Sequence, residues 1–83
     1  MESLELARFR SWLEEKELAK GKVLTDIVSR TKRVSSMVDL NKREDTDIFI
    51  LSLSKHSHFV QLSVSVKSQL RKAVRLYREF KGL

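Results

Sequence analysis

The chain contains almost none of the residues that force a turn, since it has no proline and its only glycines are Gly21 and Gly82. An all-β domain would need such residues at most of its hairpin turns. A length of 83 residues suits one compact domain over residues 1–83. The sequence therefore predicts an all-α fold, a small bundle of four to five helices.

Apolar residues at helical spacing predict the first two helices. Leu6, Phe9 and Leu13 share one face of a first helix, expected from about Ser3 to about Ala19, with Trp12 at the edge of the core. Gly21 interrupts this pattern, and a second helix is expected from there to about Leu40. The second helix has an apolar stripe of five residues, which are Val23, Ile27, Val34, Met37 and Val38.

Residues 48–66 carry two conflicting signals. Asp45 and Thr46 are good N-cap residues for a helix that contains the run IFIL. The later segment HFVQLSVSV has apolar residues at alternate positions, which is typical of a strand. An α+β fold with a hairpin at about 48–66 is thus the alternative, but we favour the helix because an isolated two-stranded hairpin is weak.

The last helix, expected from about Ser63 or Ser65 to Phe80, has the most regular pattern in the chain. Its apolar stripe contains Val66, Leu70, Ala73, Val74, Tyr77 and Phe80. Tyr77 lies near the middle of this stripe, so we expect a core residue and not a reactive group. A second stripe beside the first is basic and contains Lys67, Arg71, Arg75 and Arg78. Aligned cations repel one another, so this stripe is either a solvated face or a surface that meets a polyanion.

The net charge of +6 resides in two segments. Residues 20–43 and residues 67–83 each carry +5, whereas residues 1–19 and 44–66 each carry −2. Two basic segments separated by an acidic one produce a directed field, which favours the binding of a polyanion.

The start of the second helix is a candidate phosphate site. Lys20 and Lys22 flank Gly21, where unpaired backbone N–H groups and the helix dipole favour a phosphate. Arg33 lies on the same flank as Lys22 about three turns later, with Ser29 between them and Ser36 just beyond. The alternative is that the two lysines only flank a turn.

Two segments together resemble a known family. The stretch FRSWLEEKELAKGKVLTDIVSRTKRV, followed after an acidic connection by SVSVKSQLRKAVRLYREF, resembles the N-terminal core-binding domain of tyrosine recombinases and phage integrases. The resemblance implies a SAM-like helical bundle that clamps duplex DNA, while a separate domain performs strand cleavage. It also implies eight phosphate-facing cations, namely Lys20, Lys22, Arg30 and Arg33 in the second helix and Lys67, Arg71, Arg75 and Arg78 in the last.

Several other classes of function are not expected. The chain has no cysteine, no nucleophile-elbow motif and no glycine-rich phosphate loop, so we expect no enzyme, no cofactor and no small-molecule substrate. His56 and His58 are better interpreted as loop histidines than as metal ligands, because no acidic residue lies near them in sequence. The longest apolar run is too short to cross a bilayer. The N-terminal residues do not have the pattern of a signal peptide, so we expect a cytoplasmic protein. The resemblance to a DNA-binding domain implies that it is nucleoid-associated.

The leading hypothesis is a module that contacts the phosphate backbone of double-stranded DNA through two basic helices, as the non-catalytic arm of a recombinase-like or integrase-like protein. Contact with other protomers on the DNA is left open. The alternative is a helical interaction domain that docks an acidic protein partner. Attachment to an anionic membrane is not expected, because Tyr77 and Phe80 are predicted to face the core instead of lipid.

Overall fold

The computed structural model describes residues 5–83, which form five helices joined by short connections. The helices are α1 (Leu6–Glu15), α2 (Gly21–Ser35), α3 (Thr46–Ser54), α4 (Ser57–Val60) and α5 (Val64–Phe80). No residue between positions 5 and 83 belongs to a strand. The all-α prediction is confirmed, and the alternative hairpin at 48–66 is not supported.

Side-chain caps explain why the ambiguous segment forms helices. The Asp45 carboxylate accepts a hydrogen bond of 2.8 Å from the backbone N–H of Asp47 and so caps α3. The Ser63 hydroxyl accepts one of 3.2 Å from the backbone N–H of Val66 and caps α5. The alternating apolar residues therefore do not form one strand: Val60 ends α4, Leu62 lies in the connection, and Val64 and Val66 begin α5. Val64 is 82% exposed instead of lying on a sheet face.

The first helix ends earlier than predicted because a glutamate, not a glycine, ends it. Glu17 has a φ of 56°, in the left-handed region. The N–H of Leu18 then donates to the Leu13 carbonyl at 3.0 Å, which is the pairing of a Schellman motif. α1 thus ends at Glu15 and not near Ala19, and α2 likewise ends at Ser35 and not near Leu40. The predicted start near Ser3 lies outside the described residues.

The core is built around α5, whose largest helix–helix contact is with α2. Leu70, Ala73, Val74 and Tyr77 of the predicted stripe are buried, and Val66 and Phe80 are half-buried against them. Tyr77 is 0% exposed, which confirms the prediction that it is a core residue.

An aromatic cluster holds α1 against the C-terminal half of α5. The rings of Phe9 and Tyr77 meet edge to face with centroids 5.2 Å apart. Phe80 packs against Phe9 at 5.5 Å and against Trp12 at 5.7 Å. Trp12 is half-buried at the edge of this cluster, as predicted.

The buried face of α2 is rotated from its predicted position. Val23 is 56% exposed, whereas Leu24 is buried. Thr31 is also buried. Its hydroxyl donates to the Ile27 carbonyl at 2.9 Å, so its burial leaves no unsatisfied hydrogen-bond donor in the core. Because Thr31 is polar, its buried position could not be recognised from the apolar pattern, and Val23 was predicted as a core residue instead.

Arg78 of α5 is fully buried and binds the connection between α2 and α3. One terminal nitrogen of its guanidinium donates to the carbonyls of Leu40 and Lys42, at 2.9 and 3.0 Å. The other terminal nitrogen donates to the carbonyl of Glu44 at 2.5 Å. A connection without regular structure thereby obtains partners for three of its carbonyls.

The remaining contacts of Arg78 attach the same group to α3. Its Nε donates to the Thr46 hydroxyl at 3.1 Å, and the guanidinium carbon lies 4.4 Å from the centre of the Phe49 ring. Burial lowers the pKa of Arg78, an effect opposed by three nearby carboxylates, those of Glu44, Asp45 and Asp39. An arginine stays charged in such a site because its ordinary pKa is so high.

Replacement of this arginine should be strongly destabilising. We expect Arg78→Ala to lower the free energy of unfolding by about 3 kcal/mol or more, because three backbone carbonyls lose their donor in a buried site. Urea denaturation followed by circular dichroism measures the change. The matched control is Arg75→Ala, one turn earlier in an exposed ion pair, which should cost less than about 1 kcal/mol. Equal effects of the two variants would contradict the structural role given to Arg78.

An ion pair joins the start of α1 to the end of α5. Lys81 Nζ lies 2.7 Å from a carboxylate oxygen of Glu5. This hydrogen bond is the main cause that lowers the pKa of Glu5 below its ordinary value of 4.5. The Tyr77 hydroxyl accepts a longer hydrogen bond of 3.4 Å from the Glu5 backbone N–H, at the same junction.

The lowered pKa of Glu5 predicts a pH-dependent stability. A carboxyl group whose pKa is lower in the folded state stabilises the fold above its unfolded pKa, and this contribution is lost as the pH falls through the folded pKa. Glu5→Gln should therefore lower the Tm at neutral pH, and the difference from the wild type should shrink below the ordinary value of 4.5. Thermal melts across this range test it, with the exposed Glu15→Gln as control. A difference that does not change with pH would contradict the prediction.

Candidate nucleic-acid interface

The outer face of α2 carries a cluster of cations that remain available at the surface. Lys22, Lys32 and Arg33 are exposed there, opposite the buried side of the helix. Lys20 just before the helix is also exposed, and Arg30 on the flank is half-buried. Within residues 5–83 none of these five side chains lies in an ion pair. Lys32 is not among the eight cations predicted from the sequence, although its position beside Arg33 indicates the same surface.

The N-terminus of α2 has no side-chain cap. Lys20 is extended, with φ −154° and ψ 161°, and it makes no capping hydrogen bond. Gly21 follows with a φ of 60°, a value that glycine adopts without the usual steric cost, so the chain turns sharply into the helix. Lys20 and Lys22 are exposed on either side of this turn.

The two serines on this face differ in what they can donate. The Ser36 hydroxyl donates to the Arg33 carbonyl at 2.6 Å, so its proton is used within the helix. Ser29 is exposed and makes no such bond with the described part of the chain. Ser29 is therefore the hydroxyl of this pair that is available to a phosphate oxygen.

The basic stripe predicted on α5 is not a single surface. Arg78, expected to face phosphates, is buried and bound to backbone carbonyls, so that expectation is corrected. Arg71 is half-buried, and its guanidinium carbon lies 5.3 Å from the centre of the Phe59 ring in α4. Its Nε also donates to the Ser54 hydroxyl at 3.3 Å. These two arginines hold α5 to its neighbours.

The other two cations of the stripe keep part of their exposure. Arg75 is 52% exposed in its side chain and lies 2.9 Å from Asp47 of α3. Lys67 is half-buried and forms no ion pair within residues 5–83. The stripe is divided because α3 packs against the basic flank of α5, where Phe59 of α4 also meets Arg71, while α1 and α2 pack against the apolar side. The buried arc of α5 is wider than the apolar stripe alone.

The histidine pair has a structural role. His56 Nδ1 accepts a hydrogen bond of 3.2 Å from the backbone N–H of His58 and caps α4, and the two rings lie 5.4 Å apart. The described residues contain no group of three His, Cys, Asp or Glu side chains that could bind a metal ion. In the same part of the chain, no helix has the length and apolar content to span a membrane.

No known protein family, no curated protein and no solved structure matches this chain significantly. The resemblance to core-binding domains thus stays a prediction from the sequence.

Chemical labelling should separate the surface arginines from the buried one. Phenylglyoxal should modify Arg33 and Arg43 in the folded protein, because both are exposed. Arg78 should react at least about tenfold more slowly, since its guanidinium becomes accessible only when the structure opens. Peptide mass spectrometry gives the three rates, and labelling in urea should make them equal. A rate for Arg78 equal to that of Arg33 in the folded protein would contradict its burial.

Proposed function

We propose that this chain binds the phosphate backbone of duplex DNA through the outer face of α2 and has no catalytic step of its own. The observation that carries the proposal is the group of cations on this helix that form no ion pair within residues 5–83. With Asp26 as its one acidic residue, α2 holds four basic side chains and a net charge of +3. A phosphate backbone would relieve the repulsion among them.

The length of α2 suits two DNA strands. Lys22 and Arg33 are eleven positions apart, which corresponds to about 16 Å along the helix axis. The major groove of B-DNA is about 12 Å wide, so a helix across it brings its two ends near opposite backbones. In this arrangement Lys20 and Lys22 contact one strand, while Lys32 and Arg33 contact the other. Such contacts position the protein without specifying a sequence.

The proposal differs from the two-helix clamp expected from the sequence. The α5 cations contribute less, because Arg71 and Arg78 are bound inside the protein. Lys67 and Arg75 remain as peripheral contacts. The role as a non-catalytic arm of a recombinase-like protein, and with it a nucleoid-associated location, is supported only by the sequence resemblance.

The salt dependence of binding tests the function. If about four phosphates are neutralised, the logarithm of the affinity for a duplex should fall with the logarithm of the salt concentration with a slope of about −3.6. Fluorescence anisotropy with a labelled duplex of random sequence gives the slope. Absence of binding at low salt, or a slope near zero, would reject DNA binding by this chain.

A charge-reversal pair tests the location of the interface. The double variant Lys22→Glu with Arg33→Glu should weaken duplex binding at least about tenfold and flatten the salt slope by about 2. The matched control is the double variant Lys55→Glu with Lys72→Glu, which changes the net charge by the same amount. Lys55 directly follows α3 and Lys72 lies in α5, and both are exposed. All four sites are exposed, so helicity should be unchanged. An equal loss in the control would place the binding outside α2.

A further inference from the structure

α3 presents apolar side chains on two sides, but only one side is used by the fold. Phe49, Ile50 and Leu53 are buried in the core, with at most 7% exposure. On the outer side, Ile48 is 56% exposed and Leu51 is 57% exposed. These two residues are three positions apart and so lie on one face of the helix. Their exposed area contributes nothing to the core.

A basic flank of α5 runs beside this apolar face. The contacts of Arg75 with Asp47 at 2.9 Å and of Arg71 with Ser54 at 3.3 Å place the flank along the length of α3. Val64 lies two turns before Arg71 on the same flank and is 82% exposed. We give the name α3–α5 groove to the surface along these two helices that is bordered by Ile48 and Leu51 of α3, by Arg75 of α5 and, past the end of α3, by Val64.

We propose that the α3–α5 groove docks an amphipathic helix of an acidic partner protein. The apolar face of such a helix would cover Ile48, Leu51 and Val64, which is the helix-in-groove mode of recognition. One of its carboxylates would meet Arg75, and Lys55 just after α3 is exposed to a second. The existing pair of Arg75 with Asp47 is exposed, at 52% and 81%, so a partner carboxylate can exchange with Asp47 at little cost.

Charge decides between this occupant and two others. A second copy of the chain would bring another net charge of +6 to the groove, and the two copies would repel each other. DNA phosphates would find no donor on Ile48 or Leu51, whose apolar area would stay exposed. A negatively charged partner with its own apolar stripe satisfies both features. The groove shares no residue with the outer face of α2, so this proposal does not depend on DNA binding.

The test uses a synthetic probe. A fluorescein-labelled amphipathic peptide of about 18 residues, with leucines at i, i+3, i+4 and i+7 and glutamates on both flanks, is titrated with the protein. We expect saturable binding in the micromolar range, and binding at least about tenfold weaker for the same peptide with lysines in place of glutamates. Equal affinity for the two peptides, or no binding of the acidic one, would overturn the proposal.

Variants locate the binding site. Ile48→Glu and Leu51→Glu should each weaken binding of the acidic peptide at least about tenfold, since each removes apolar contact and adds a repelling charge. Val23→Glu is the matched control, because Val23 is also 56% exposed but belongs to α2. Circular dichroism should show unchanged helicity for all three. An equal loss for Val23→Glu would overturn the location.

Two further measurements separate the alternatives. Amide chemical-shift changes on addition of the acidic peptide should fall within residues 47–55 and 64–75, and changes confined to α2 would overturn the proposal. Sedimentation equilibrium should show a monomer without the peptide. A dimer that Leu51→Glu dissociates would instead assign the groove to a second copy of the chain.

Discussion

The guanidinium of Arg78 connects three parts of the chain that are distant in sequence. It belongs to α5, it donates to three carbonyls of the connection at residues 40–44, and it stacks on Phe49 of α3. Four of its N–H groups are used, out of the five that an arginine offers. An apolar side chain could fill the same space, but it could not satisfy these carbonyls. The position of α3 therefore depends on a charged group, in a bundle whose other contacts are mostly apolar.

Because Arg78 holds α3 against the basic flank of α5, other cations on that flank also bind groups of the protein. Because α3 is held against that flank, Arg71 is enclosed between Ser54 and Phe59, and Arg75 meets Asp47. A helical wheel shows four aligned cations, but it does not show which neighbouring helix covers them. The repulsion among aligned cations is relieved inside the protein, by carbonyls, a hydroxyl, an aromatic ring and a carboxylate. No external polyanion is needed to explain the stripe.

Local features of the sequence predicted most of the fold. The apolar stripe of α5, the cap at Asp45 and the near absence of turn residues all act within a few positions, so they can be recognised without tertiary structure. The end of α1 was missed because Glu17 adopts a conformation that a glycine normally supplies. Arg78 was misjudged because the carbonyls that it binds lie 34 to 38 positions away in the sequence and meet it only in the folded chain. The outer face of α2 could be predicted in part, since Lys22 and Arg33 share a flank by spacing alone.

The two proposed surfaces follow from what the core leaves unused. α2 buries its apolar side against α1 and α5, and its cations find no carboxylate among the described residues, so the charge remains for a ligand. α3 instead leaves apolar area uncovered, because Ile48 and Leu51 are exposed on the side of the helix that does not face the core. A phosphate backbone suits the first surface because it offers charge without apolar area. An acidic amphipathic helix suits the second because it offers both. Since the surfaces lie on different helices, one small bundle could hold DNA with α2 while α3 and α5 hold a protein partner.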